Sequence, residues 1–365
     1  MDCEVDGKWA ELRNAPDDHP RVKIGKIGVL ISNLGSPDNF TYWAMRRYLS
    51  EFLSDRRVID YPRWMWQPIL QLIVLSKRPF TSGAAYRSIW NHDTGESPLL
   101  HITRNQHQKL SKIMAKRYGG QVITGFGMRY GNPSTKSALH QMAEEGCRKI
   151  LHFPLYPQYS ATTTASANDA FFLALTKMKW QPAVGTVAPY YDNPDYIGAL
   201  AESLQRHLQE LDFTPDAVVA SYHGLPKRYL IEGDPYHCQC QKTSRLLKER
   251  LGWDDEKLVT SFQSRFGSEE WLQPYTVDAV AALAREGRRR IAVMAPGFSA
   301  DCIETLEEIQ EEIKDAFIEA GGECFSYIPC LNSDDSHIAM MESVIAKNLS
   351  GWIDECPPES PRISR

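Results

Sequence analysis

The chain repeats itself, and that repetition restricts its fold more than any other feature. Val29-Leu-Ile-Ser-Asn-Leu-Gly-Ser-Pro37 resembles Val218-Val-Ala-Ser-Tyr-His-Gly-Leu-Pro226. Arg129-Tyr-Gly-Asn matches Arg265-Phe-Gly-Ser. Ala143-Glu-Glu-Gly-Cys-Arg-Lys-Ile-Leu-His-Phe-Pro154 matches Ala284-Arg-Glu-Gly-Arg-Arg-Arg-Ile-Ala-Val-Met-Ala-Pro296. The echoes come in one order, with wider spacing in the first half. Two copies of one α/β unit in tandem are the simplest account.

Each echo has the pattern of α/β structure. The apolar runs Ile27–Ile31, Ala217–Ala220 and Ile291–Ala295 are short and end near Gly or Pro, as buried parallel strands do. Helical spacing lies between them: over Thr276–Glu286 the apolar residues Val277, Val280, Ala281 and Leu283 share a face. The expected fold class is α/β, with two similar Rossmann-like domains, each a parallel sheet flanked by helices, and an active-site cleft between them. A length of 365 residues suits two domains. Residues 22–165 are expected to form the first, including an apolar lip, and residues 166–355 the second, carrying a strand-end histidine and an acidic helix. Ligands should bind beyond the carboxyl ends of the strands.

Several function classes are excluded. Neither G-x-G-x-x-G after the first strand nor G-x-x-x-x-G-K-[ST] occurs, so a nucleotide enzyme is disfavoured despite the Rossmann-like layout. A net charge of −5 argues against nucleic acid as a partner. The most apolar run, Pro68–Leu75, is too short to span a bilayer, and the acid-rich N-terminus lacks the apolar core of a signal peptide. A cytoplasmic protein is expected, with eight cysteines that are mostly free thiols. Cys238 and Cys240 form the one close pair and are candidate cluster ligands, but a [2Fe–2S] cluster needs about four ligands. The other thiols, Cys324, Cys330 and Cys356 among them, are scattered. No cofactor is required by this reading.

Three features stand at the expected cleft. His223 falls at a strand end, before Gly-Leu-Pro; alone, such a histidine is as readily structural as catalytic. The stretch Ala295–Asp315 carries seven carboxylates: Asp301, Glu304, Glu307, Glu308, Glu311, Glu312 and Asp315. Glu-rich helices are usually solvated faces, yet Glu304, Glu308 and Glu312 recur at i, i+4 and would repel each other along one side. A mobile divalent cation would relieve that repulsion, and oxygen ligands suit such an ion better than a structural zinc. A π-bulge there would draw adjacent acids together. Finally, residues 61–75 concentrate Trp64 and Trp66 among aliphatics, followed by Lys77 and Arg78. This is either a core helix or an exposed lip for a greasy ligand or a membrane surface.

Taken together, VLISNLGSP, GMRYG, FPLYPQYSATTT, SYHGLP and PGFSADCIETLEE resemble the ferrochelatase family, in order, from about Lys26 to Trp352. The resemblance implies a lyase that inserts Fe²⁺ into protoporphyrin IX to give protohaem, the terminal step of haem biosynthesis. It makes Fe²⁺ a substrate, His223 and Glu304 the catalytic pair, and His223, Glu304 and Glu308 the metal contacts. His223 is implied to be a pyrrole proton acceptor or a metal contact. Arg129 and Tyr130 match a pocket pair near the macrocycle, and Trp64 the lip over the mouth. Tyr159 and Phe298, in strand-end loops, complete the expected substrate-binding set. Peripheral membrane contact through the 61–75 lip and a monomer or homodimer are further expectations. Many relatives have His where this chain has Cys302, and the C-terminus lacks the close cysteine trio that holds a cluster in some. Two other readings stay open: a chelatase that inserts cobalt or nickel into another tetrapyrrole, and a protein that only closes on its ligand.

Overall fold

The computed structural model describes residues 25–265 and 267–353. Eight strands alternate with helices: β1 (Lys26–Asn33), β2 (Val122–Met128), β3 (Cys147–Pro154), β4 (Ala183–Thr186), β5 (Ala217–His223), β6 (Leu258–Gln263), β7 (Arg290–Met294) and β8 (Cys324–Ile328). They form two parallel sheets, ordered β2-β1-β3-β4 and β6-β5-β7-β8. The two orders are the same order written twice, which is the duplication expected from the echoes. After β2 and β6 the likeness goes further than the sequence shows. Met128 N–H donates to the Pro133 carbonyl at 2.7 Å, and Phe262 N–H to the Pro274 carbonyl at 2.9 Å. Each proline then leads into a helix, at Thr135 and Thr276.

Both faces of each sheet are covered, which is why the strands read as continuous apolar runs. Val218, Ala220 and Tyr222 of β5 face one core, while Ala217 and Val219 face another. In the first sheet Val29 and Ile31 face the first of these cores and Leu30 a third. The core shared by Val29 and Val218 joins the two halves. Each aliphatic or aromatic side chain buried there contributes roughly 1.5–3 kcal/mol.

One boundary moves. β4 pairs with β3 through Lys149↔Ala183 to His152↔Thr186, so the first sheet extends past residue 165, where its domain was expected to end. The cause is a βαβ crossover: the helix Ser166–Leu175 returns the chain to the same sheet, and the four-residue strand after it leaves little apolar signal. Residues 22–24 and 354–355 of the expected domains, and Cys356, lie outside the described residues. The 61–75 segment is an exposed lip and no core helix: Trp64 is 79% and Leu72 76% accessible. Its other face anchors it, with Leu70 and Leu75 buried and the Trp66 indole donating to the Leu53 carbonyl at 2.7 Å. Among the described residues no helix is long and apolar enough to cross a membrane.

Candidate active site

The expected residues around the histidine and the acidic stretch sit at, or just after, the carboxyl ends of strands. His223 ends β5, and its Nδ1 lies 2.7 Å from the Gly224 carbonyl. A carbonyl can only accept, so Nδ1 carries a hydrogen, and in the neutral ring the lone pair is therefore on Nε2. Glycine permits this turn. A Cβ on Gly224 would stand 2.6 Å from the Gln263 carbonyl, to which the Gly224 N–H donates at 2.7 Å.

Gln263 ends β6 and is the register partner of His223. Its side-chain amide donates to the Glu304 carbonyl at 2.7 Å and to the Glu308 carboxylate at 3.2 Å. Ser264 adds its backbone N–H at 2.6 Å and its hydroxyl at 2.5 Å, both to Glu308. Its φ of 67° is in the left-handed region that few residues other than glycine adopt, and that bend aims both donors. So the Glu304 backbone and the Glu308 carboxylate are tied to the strand end beside His223 by two neighbours, Gln263 and Ser264, that sequence reasoning passed over. Burial pushes the Glu308 carboxyl above its ordinary range; Ser264, His223 and Gln263 pull against that, and Glu304 adds to it.

The acidic stretch divides into three. Asp301 is buried and structural, accepting from Tyr327 at 2.5 Å, Asn332 at 2.6 Å and Thr305 at 3.1 Å. Glu304 lies in the helical turn Ile303–Leu306. From Glu308 to Ile313 the helix widens to π geometry, in agreement with the expected bulge. This corrects the even i, i+4 row. π winding brings i and i+5 into register, and Glu312 is the carboxylate that acts most strongly on Glu307. Burial, then Glu312, Glu311, Glu308 and Glu304, raise the carboxyl of the half-buried Glu307. Glu311, Glu312 and Asp315 are exposed.

Cys302 is buried among Leu34, Leu99 and Phe298. Burial and the nearby Glu304 hold its thiol well above the ordinary range, so it is neutral near pH 7. Phe298 is half-buried in the same cluster. Arg129 follows β2 and donates from Nε to Ser166 at 2.6 Å, while its Nη2 pairs with Asp55. The Tyr130 hydroxyl donates to Asp55 at 2.7 Å, and Ser166 to the same oxygen at 2.5 Å. Tyr130 is fully buried beneath Arg129, 4.3 Å from guanidinium to ring centre, so it braces that residue and faces no cleft. Burial alone would raise Asp55; Ser166, the Arg57 amide, Tyr130 and Arg129 together hold it below the usual carboxylate range. Asp55 and Ser166 carry no motif and were not anticipated. A cleft of about 860 Å³ opens beside this network, lined by Arg46, Arg47, Arg56 and Arg63 as well as Arg129. His223, Glu304 and Glu308 do not line it.

Tyr159 lies in the loop after β3, its N–H on Gln239 at 2.7 Å. Trp64 stands out on the lip. The cysteine pair diverges: two positions apart on the helix Tyr236–Leu251, Cys238 is exposed and Cys240 buried. That pair does not fit as half of a cluster cage. Among the described residues no three His, Cys, Asp or Glu side chains are grouped so that they could hold a metal ion.

The ferrochelatase family profile matches residues 26–349. The chain belongs to the ferrochelatase family. It is 62% identical to the ferrochelatase of Rhodobacter capsulatus, over 94% of this chain and 98% of that one. It is 55% identical to the ferrochelatase of Chelativorans sp. strain BNC1, over 96% of this chain and all of the other. Among solved structures, the sirohydrochlorin chelatase SirB of Bacillus subtilis subspecies spizizenii, in complex with cobalt, shares the fold. Its TM-score is 0.51 at 9% identity, over 89% of this chain and 97% of SirB. The ferrochelatase relatives thus match the chain almost end to end.

Proposed function

We propose that this ferrochelatase inserts Fe²⁺ into protoporphyrin IX, giving protohaem and two protons, at the strand ends where His223 meets Glu304 and Glu308. The observation that carries the reading is Gln263, whose one amide spans from the histidine's sheet to both glutamates. Insertion removes two pyrrole protons while the ion sheds water. His223, with Nδ1 tied to Gly224, offers Nε2 as the acceptor for a pyrrole proton. Glu304 and Glu308 replace water on the incoming ion and take up or stabilise the charge that develops. Cys302, neutral and buried, stands outside that route, which begins from Glu308 and the Glu307–Glu312 pair. The lip supplies apolar binding energy that can hold the macrocycle out of plane and expose a nitrogen lone pair. Arg129, Tyr159, Phe298 and Trp64 line or edge the macrocycle site, with Tyr130 behind Arg129.

The exposed face of the lip, with Trp64, Leu72 and Ile73, fits peripheral contact with a membrane surface by a cytoplasmic protein. The test is anaerobic mixing of the protein with protoporphyrin IX and Fe²⁺, following loss of porphyrin fluorescence. Catalytic loss is expected, abolished in His223→Ala while porphyrin binding persists. Quenching stoichiometric with protein, without turnover, would leave only a porphyrin binder. Faster turnover with Co²⁺ and a carboxylate-rich tetrapyrrole would favour the other chelatase reading.

A further inference from the structure

We infer that Arg228 is a positioning residue for insertion, clamping the base of the apolar lip to the two strand-end loops that present His223 and hold Glu308. The inference rests on the chelatase reading above. Arg228 lies five residues past His223, on the short helix Lys227–Ile231. Its Nη1 and Nη2 donate to the two oxygens of Asp60 at 2.6 and 2.8 Å. Asp60 is the residue before the lip. The Nε of the same guanidinium reaches Glu269 at 2.9 Å, in the loop that begins with Ser264. Glu232 stands 3.9 Å from Nη1. The guanidinium lies over the Tyr229 ring at 4.7 Å, and the Tyr229 hydroxyl donates to the Arg57 carbonyl at 3.4 Å.

The two loops are already joined to each other. Lys227 N–H donates to the Glu270 carbonyl at 2.8 Å, and Leu272 N–H to the Leu225 carbonyl at 2.9 Å. Arg228 is what extends that unit across to the lip. One cation faces three carboxylates, so its removal leaves Asp60 and Glu269 as like charges on the two sides of the junction, and they push the lip base away. A flat macrocycle has to meet the lip and His223 at once, and small displacements of one wall against the other disturb that alignment. The planar fork matters because a lysine would offer a single point charge in place of two directed donors toward Asp60.

Arg228→Gln should raise the KM for protoporphyrin about tenfold, the scale of one charge-assisted contact between partly exposed groups. The KM for Fe²⁺ and the pH profile should not move. Metal-free porphyrin binding, read by fluorescence, should weaken by the same factor. Arg228→Lys should fall between. Asp60→Arg combined with Arg228→Glu reverses the pair, in a Glu269→Gln background so that the new carboxylate meets no like charge there; it should restore the porphyrin KM to within about threefold. If both KM values shift together and the reversed variant is not rescued, Arg228 only supports the fold and the inference fails. Should Arg228→Gln not fold, an unchanged porphyrin KM in Arg228→Lys overturns it. Wild-type protein that never inserts iron sinks the chelatase reading instead, and metal-free binding still tests the clamp.

Discussion

Glu307 is a carboxylate whose folded environment works against its charge, and that has a measurable sign. Its carboxyl is raised, first by burial and then by Glu312 and its other acidic neighbours. A raised carboxyl favours the folded state at low pH, and that contribution is lost as pH rises through the folded value. Glu307→Gln should therefore raise Tm at pH 8 and leave it unchanged at pH 3, which a thermal melt at the two pH values checks. Asp55 has the opposite sign. Its lowered carboxyl adds stability above the ordinary aspartate range, lost as pH falls through the folded value. Asp55→Asn should destabilise most near neutrality, by about 1–3 kcal/mol, the scale of a broken charge-assisted contact in a largely buried network. The same variant should lower insertion by freeing Arg129; unchanged kinetics would detach that network from the site. Neither Asp55 nor Ser166 was legible in the sequence. Their bond joins residues 111 positions apart, with no local pattern to mark it. His223 and Glu304 could be singled out from the sequence because one ends and the other follows an apolar strand run, where ligands gather.

At the scale of elements, the acidic helix was expected to be a regular i, i+4 row with a bulge, and only the bulge is found. Spacing of i, i+4 assumes α winding, and the π segment Glu308–Ile313 adds a residue per turn. Glu312→Gln removes the exposed carboxylate of that segment that acts most strongly on Glu307. The expected outcome is a folded protein with a KM for Fe²⁺ raised several-fold and an unchanged KM for porphyrin. Equal KM values in that variant and the parent would remove Glu312 from the metal route. The strands, by contrast, were plain to read because covering both sheet faces makes them apolar throughout. β4 was not: its four residues, Ala-Val-Gly-Thr, are half-exposed or exposed, so neither alternation nor an apolar run announces it. The lip carried two meanings at once, since Leu70 and Leu75 belong to a core while Leu72 and Ile73 face solvent.

The whole molecule was legible as a duplication because the three echoes bracket the strand ends, the parts of the fold where backbone geometry is most demanding. Gly35 shows that demand: its φ is 98°, and a Cβ there would lie 1.9 Å from the Tyr130 carbonyl. What the echoes could not disclose is how the halves are fixed to each other, since that depends on contacts such as Gln106 to the Ser299 carbonyl at 2.9 Å. Acid should undo the assembly by a defined step. Burial pushes His152 and His337 down to about 4, so the folded protein keeps both neutral. The unfolded chain binds two more protons from about pH 6.5 downward, which lowers stability by about 2.7 kcal/mol per pH unit between there and about pH 4. Denaturant titrations across that range should show this slope beyond the carboxylate contribution, and His337→Gln should remove half of it. A final consequence follows from the strand ends that the echo pairs, where Leu34 occupies in the first half the position of His223 in the second. A flat macrocycle is nearly the same seen from above or below, and has no side of its own on which to lose protons. Two walls built on one plan, but ending in different residues, would give it one: under the proposed role of His223, whichever face lands against the histidine becomes the reactive face, so handedness in the reaction would belong to the protein.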